Sequence, residues 1–371
     1  MTAEIAVLTN ARAARQQSMI GYGDLVLRAA RRFARDVVEF RATSALSELL
    51  PQGWSRGRSG KLVRDIERFL LSPARFVGRR TRLAHVVDPG NVIYLDMIRC
   101  DASIVAVHDM IPFHCAAGRL NGFRPSRSGL LLMRRVLAKL KRADRIVCVS
   151  EATRRDLLTY ADVDPGRIVV IPNAVFQPLE RAPAEACRAI RSEFGLPADV
   201  PLVLHVGRNF YKNRETVLRV FARIHRRHPD ARLLFVGGAT EALAGAVREE
   251  GLGDRVHFAD HVPSEKMAAL YTTATLLLFP SLYEGFGYPV LEAQLCGTPV
   301  ICSNAGSLPE VAGDGAILFA PDDVEGMAEA ATELIGGQSA AALVALGYSN
   351  VERFASPAWC NAHTKLYREL L

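Results

Sequence analysis

The sequence predicts an α/β protein built from two doubly wound domains of similar size. Three observations carry that expectation. Short apolar runs recur along the chain, at 4–9, 103–107, 145–149, 168–171, 201–206, 232–236, 274–280 and 299–302. Runs of this length between turn residues read as buried strands. Helix-like segments alternate with them, which argues parallel sheets covered on both faces. The chain is 371 residues long, more than one ordinary core accommodates, and the pattern restarts after Pro172–Pro178. The expected domains are therefore 1–178 and 179–371.

In the first half, Glu4–Thr9 reads as the opening strand. Ser18–Gly23 reads as a turn, with a helix starting at Asp24 and running to Ala34. Gly21 and Gly23 ahead of a helix N-terminus would let a ligand approach the backbone. Residues 51–82 are arginine-rich, and Lys61–Leu71 alternates basic and apolar positions as a helix lying on an anionic surface would. Short apolar segments follow at Val92–Leu95 and Ser103–Val107, the second running into His108. A polar group at the carboxyl end of a strand is where open α/β sheets place their chemistry. A helix over about 126–143, a strand at Arg145–Val149 and a helix capped by Ser150 or Thr153 come next. Asp164–Arg167 reads as a turn and Ile168–Ile171 as a strand.

The second half holds two polar turns after strands. Gly207–Asn213 follows Pro201–Val206 and carries two cations, Arg208 and Lys212, the pair of charges a diphosphate needs. Ala274–Pro280 leads into Glu284-Gly285-Phe286-Gly287, with Pro289 at the start of a helix, Glu292 in its first turn and Gly297 at its end. Glycine amides and a helix N-terminus suit oxygen-rich ligands. A carboxylate accepts two hydrogen bonds side by side, so Glu292 suits vicinal hydroxyls and Glu284 a second sugar-like ring. Phosphate cations with two such carboxylates describe a nucleotide-sugar site. Helices are expected over Arg214–His225, around Met267–Tyr271, over Val324–Ile335 and over about 358–371.

Charge is divided unevenly. Residues 1–175 hold 29 Lys and Arg against 16 Asp and Glu, and residues 176–371 hold 17 against 23. The basic half would meet an anionic partner. No apolar run approaches the roughly 18 residues of a membrane span, and the first residues do not read as a signal peptide. Cysteines 100, 115, 148, 187, 296, 302 and 360 stand singly, without zinc or redox spacing, so reduced thiols in a cytoplasmic protein are expected.

Three stretches, Leu282–Glu292, Cys296–Ile301 and Ser307–Glu310, resemble the signature of glycosyltransferase family 4. Val107–Pro112, Arg142–Leu158 and Ile168–Asn173 are similar to bacterial mannosyltransferase-like members of it. The resemblance implies the GT-B arrangement, two Rossmann-like domains facing across a cleft, with the last helix crossing back onto the first domain. It implies transfer of a hexose with retention, mannose from GDP-mannose first and UDP-sugars next, with no metal and no cofactor. Arg208 and Lys212 would neutralise the donor diphosphate and Glu292 would hold the ribose. Glu284, helped by the amides of Gly285, Phe286 and Gly287, would hold the sugar. His108 would lie at the reacting carbon, Gly21 and Gly23 beside the phosphates, and Val262 at the base. The acceptor would be a glycan or a polyprenyl-diphosphate-linked glycan in polysaccharide or glycolipid biosynthesis, at the inner membrane face. Arg208 and Lys212 stand one residue closer together than in many relatives, and no basic residue follows Gly23. A nucleotide-sugar epimerase shares the shape. A basic lipid- or nucleic-acid-binding module leaves the acidic half unexplained, and no nucleic-acid partner is expected.

Overall fold

Strands form where apolar side chains alternate between two covered faces, and both halves of the chain do this. The computed structural model describes residues 3–10, 17–42, 63, 66–67, 71–175, 179–337 and 339–371. One compact unit comprises Met1–Ala117, Arg124–Phe176 and Ser356–Leu371; the other comprises Gly118–Phe123 and Gln177–Ala355.

The first unit contains β1 (Ala3–Thr9), β2 (Val37–Arg41), β3 (Arg80–Val86), β4 (Arg99–Val107), β5 (Arg145–Cys148) and β6 (Ile168–Val170). They form one parallel sheet in the order β2-β1-β3-β4-β5-β6. The second contains β7 (Leu202–Val206), β8 (Arg232–Val236), β9 (Val256–Ala259), β10 (Leu276–Phe279), β11 (Val300–Ser303) and β12 (Ile317–Phe319). Their order is β12-β11-β10-β7-β8-β9, again parallel. Both are doubly wound Rossmann-like sheets. In the second unit Val203, Leu233, Phe235, Leu276, Leu278 and Ile301 enter one core cluster. Their chain neighbours Leu202, Leu204, Leu234, Leu277, Phe279 and Cys302 enter the other. That period of two across both faces is why the strands read as unbroken apolar runs.

Several elements differ from the expectation. The first helix spans Gln17–Phe33, so Gly21 and Gly23 lie inside it and not in a turn before it. A side chain at Gly23 would stand 3.4 Å from Thr9 Cγ2, so the helix lies within van der Waals reach of the end of β1. Packing of that helix on the sheet outweighs the roughly 1 kcal/mol that a glycine costs in a helix interior. Val92–Leu95 belongs to a 3₁₀ helix, Pro89–Asp96, whose start is fixed by Gly90 N donating to Asp88 Oδ1 at 2.7 Å. Strands β2 and β3 went unread because arginines and a glutamate interrupt their apolar pattern. The helix expected over 126–143 covers Arg127–Leu140, with Ser126 Oγ accepting from Gly129 N at 3.2 Å. Most of the basic segment 61–71 lies outside the described residues. Among the described residues no helix is long and apolar enough to cross a membrane. All seven cysteines are free.

Within the first unit, the last helix, Ser356–Leu370, docks on the first through aromatic and imidazole rings. Trp359 lies 3.7 Å over His363, and the His85 and His363 rings stack at 5.7 Å. His85 Nδ1 and Tyr367 Oη share a hydrogen bond of 2.8 Å. Burial pushes the His363 imidazole down to about 4, and burial together with the neighbouring His363 drives that of His85 well below its ordinary value. An unfolded imidazole takes up its proton near pH 6.5. The stability contributed by neutral His363 is therefore whole above pH 6.5 and drains as the pH falls toward 4. Urea unfolding at pH 7.5 and 4.5 should show a loss of roughly 2 kcal/mol from this residue alone. His363→Phe should flatten that slope, and an unchanged slope would assign the acid sensitivity elsewhere.

Candidate functional site

In the second sheet the strand order reverses between β7 and β10, which are neighbours although two strands separate them in the chain. Loops leaving the carboxyl ends of such a pair diverge to opposite faces and open a crevice, the place where doubly wound sheets bind ligands. The loop after β7 carries Arg208 and Lys212; the loop after β10 carries Glu284.

These two loops are joined by a buried ion pair. Lys212 Nζ donates to Glu284 Oε1 at 2.7 Å, with side-chain exposures of 11% and 8%. Removing two charges from water costs several kcal/mol per ion, so the pair needs further partners. Ser281 Oγ donates to the same Oε1 at 2.7 Å, and the Lys212 ammonium sits 4.4 Å above the centre of the Phe279 ring. The lysine reaches this place because the chain at Gly207 has φ +128°, and a Cβ there would stand 2.8 Å from the Lys212 stem. Asn213, itself left-handed at φ 55°, donates through Nδ2 to Pro280 O and Pro321 O, both at 2.9 Å. That side chain fastens the β7 loop to the β10 loop.

Glu292 is the fifth residue of the Tyr288–Leu295 helix, just past its first turn, because the helix begins at Tyr288, one residue earlier than expected. Tyr271 Oη donates to Glu292 Oε2 at 2.7 Å. Burial raises the Glu292 carboxyl above its ordinary value, opposed by the Tyr271 hydrogen bond and by Lys212. Within this unit the structure thus brings Lys212, Glu284 and Glu292 into one electrostatic neighbourhood. Phe286 is buried and packs its ring edge-on against Tyr288 and Phe354, at 5.0 and 5.8 Å. Its role is to hold the Gly285–Gly287 turn, whose shape is also fixed by Ser307 Oγ donating to Phe286 O at 2.8 Å. Val262 points its side chain into the core, which leaves only its main chain for a ligand.

Arg208 is exposed. A third cation lies beside it. Arg214 opens the Arg214–Arg227 helix and is buried against the Phe235 ring at 4.7 Å, with Nη2 donating to Gly238 O at 2.5 Å. Burial and the neighbouring Arg208 bring its guanidinium down to about 10. Ser281, Asn213, Tyr271 and Arg214 were not read from the sequence. Only Arg214 had a visible signal, as a further basic residue in the Lys212 turn.

In the first unit His108 follows β4 directly and is 8% exposed. Its Nε2 lies 2.7 Å from Val87 O, a contact that requires Nε2 to carry the proton. Burial holds the imidazole below its ordinary value, so the ring is neutral and Nδ1 is its free acceptor. The Tyr22 ring stands edge-on to it at 4.6 Å. Thr153 Oγ1 donates to His108 O at 3.2 Å and is itself placed by the Ser150 cap, whose Oγ accepts from Thr153 N at 3.0 Å. Gly21 and Gly23 belong to this unit, on the first helix.

Two family models match the chain. That for Glycosyl transferases group 1 covers residues 188–345 and that for Glycosyltransferase Family 4 covers 26–176, so together they span most of it. The chain belongs to glycosyltransferase family 4. The D-inositol 3-phosphate glycosyltransferase of Kineococcus radiotolerans is 32% identical over 273 residues, 69% of this chain and 62% of that protein. The O-antigen chain mannosyltransferase B of Escherichia coli is 29% identical over 233 residues, 61% of this chain and 59% of that protein. The chain thus spans about three-fifths of the length of these curated relatives. Anabaena HepE, solved in complex with UDP and glucose, superposes with a TM-score of 0.75 at 17% identity, covering 99% of this chain and 100% of that one. That likeness shows the GT-B type of fold.

Gly207→Ala forces a side chain into the space of the Lys212 stem at a backbone angle that favours glycine. It should cost about 1–3 kcal/mol in urea unfolding. Gly253→Ala, where a Cβ meets nothing within 4 Å, should stay within about 0.5 kcal/mol. Equal costs at both positions would show that Gly207 does not shape the Lys212 loop.

Proposed function

We propose that this family 4 protein is a retaining hexosyltransferase that takes a sugar from a nucleotide diphosphate. The observation that carries the reading is the Lys212–Glu284 pair at the reversal point between β7 and β10. A cation and a carboxylate held 2.7 Å apart in a buried place suit a phosphorylated sugar, the ammonium taking a phosphate oxygen and the carboxylate a ring hydroxyl. Arg208, exposed beside it, adds charge for the diphosphate. Glu292 accepts from the ribose hydroxyls and can do so beside the Tyr271 hydroxyl that already orients it.

In this reading the acceptor hydroxyl forms a new bond to the anomeric carbon while the bond from that carbon to the β-phosphate oxygen breaks. The electron pair leaves with the nucleoside diphosphate, and Lys212 and Arg208 stabilise its charge as it develops. The acceptor proton passes to a β-phosphate oxygen, on the face from which the nucleotide departs, so configuration is kept. In the first unit His108, neutral and with a buried Nδ1 that has no partner, is the residue we assign to the donor sugar. We assign mannose and GDP as the donor because mannosyltransferases stand among the relatives. The acceptor is a glycan or lipid-linked glycan, and the basic first half supplies charge for its phosphate. The reading uses no metal.

A thermal-shift screen of GDP, UDP, ADP and their sugars tests the donor, since a bound ligand raises the melting temperature by mass action. GDP and GDP-mannose should give the largest shift, and turnover should be unchanged by EDTA. Lys212→Met should lower kcat by about a hundredfold or more with a smaller change in KM, as loss of transition-state charge stabilisation requires. A variant with wild-type turnover would remove Lys212 from the mechanism.

A further inference from the structure

The β7 loop carries a feature that the donor reading does not use. Phe210 and Phe123 are 37% and 47% exposed, and their rings meet edge to face at 6.3 Å. Tyr211 extends the row, its ring 5.5 Å from that of Phe210 at 86°. Phe123 ends the Gly118–Phe123 segment, which comes from the N-terminal half of the chain but packs with the second unit. Contact there is close: a Cβ on Gly122 would lie 2.2 Å from the Phe210 ring. The segment is therefore shaped to lie flat against Phe210.

Phe210 and Lys212 share one 3₁₀ turn, Phe210–Lys212. Residues two apart in such a turn lie on different faces. Lys212 turns inward to Glu284 and Phe279, and Phe210 is left on the outer face, about 4 Å along the turn axis from it. Exposed apolar side chains that adjoin one another mark interaction sites more often than singly scattered ones do. Polar groups border this pair: Asn209 Nδ2 donates to Tyr211 Oη at 2.9 Å, and Arg208 is exposed two residues before Phe210. An aromatic face carries negative potential, and a sugar ring presents a face of weakly positive C–H groups rimmed by hydroxyls. That combination matches a pyranose better than a hydrocarbon chain.

We infer that Phe210 and Phe123 form the stacking platform for the terminal sugar of the acceptor, beside the Lys212 turn. The inference rests on the transferase reading for calling that sugar the acceptor, and on the aromatic pair alone for the sugar site. Stacking on Phe210 would hold the acceptor next to the donor diphosphate while Asn209 reads its hydroxyls.

Saturation-transfer NMR of the full chain with methyl α-mannoside, methyl α-glucoside and methyl α-galactoside tests it. At least one glycoside should bind wild-type protein with saturation concentrated on its ring C–H protons. Phe210→Ala and Phe123→Ala should each weaken that binding about tenfold, and Phe210→Tyr, which keeps the ring, should restore it. Phe123 is nearly half exposed, so its alanine variant tests the site even where Phe210→Ala folds poorly. Absence of binding to wild type, or undiminished binding in folded Phe123→Ala, overturns the proposal. So does binding that requires an octyl aglycone regardless of the sugar, which would mark a lipid site. Nucleotide thermal shifts on the wild-type protein separate the two readings: a glycoside site without nucleotide binding keeps the platform and removes the transferase reading.

Discussion

The arrangement of the second unit depends on the buried pair between Lys212 and Glu284. Its members come from loops 72 positions apart in the chain, so it exists only after β7 and β10 have paired. A buried ion pair repays its desolvation only with good geometry and additional hydrogen bonds. Here those are supplied by Ser281, by the Phe279 ring and by the path that Gly207 opens for the lysine stem. Asn213 then ties the loops across the reversal point, so the charges stay placed when neither is compensated by solvent.

Placing opposite charges in a dry crevice also prepares it for chemistry. In the proposed transferase reading a phosphate oxygen would compete with Glu284 for the ammonium, and the carboxylate so released would accept from a hydroxyl. Electrostatic stabilisation is strongest where water is excluded and the dipoles are already oriented. Glu292, protonated more readily than an ordinary glutamate and held by Tyr271, extends this low-dielectric environment along the next helix.

The first unit uses neutral groups where the second uses charged ones. His108 is fixed as an uncharged acceptor by Val87 O, and Tyr22 packs between it and the rings of the last helix. The His85, His363 and Trp359 stack makes the docking of Ser356–Leu370 on this unit sensitive to protonation. A helix that ends the chain is thereby built into the sheet that begins it.

Fold class followed from local pattern. Fully buried parallel strands are continuous apolar runs, and Leu202–Val206, Arg232–Val236 and Leu276–Phe279 stood out for that reason. Lys212, Glu284 and Glu292 were legible because each sits at a fixed offset from such a strand or from a helix signal. Strands β2 and β3 were not, since their charged residues break the alternation, and neither was the helical state of Gly21 and Gly23, which packing of the first helix on the sheet decides. Ser281, Asn213 and Tyr271 carry no local mark; hydrogen bonds to groups remote in the chain give Asn213 and Tyr271 their roles. By itself the sequence determined which loops hold charge. Tertiary structure alone decided which charges meet, because a contact between residues 72 apart depends on strand order and not on any neighbouring residue.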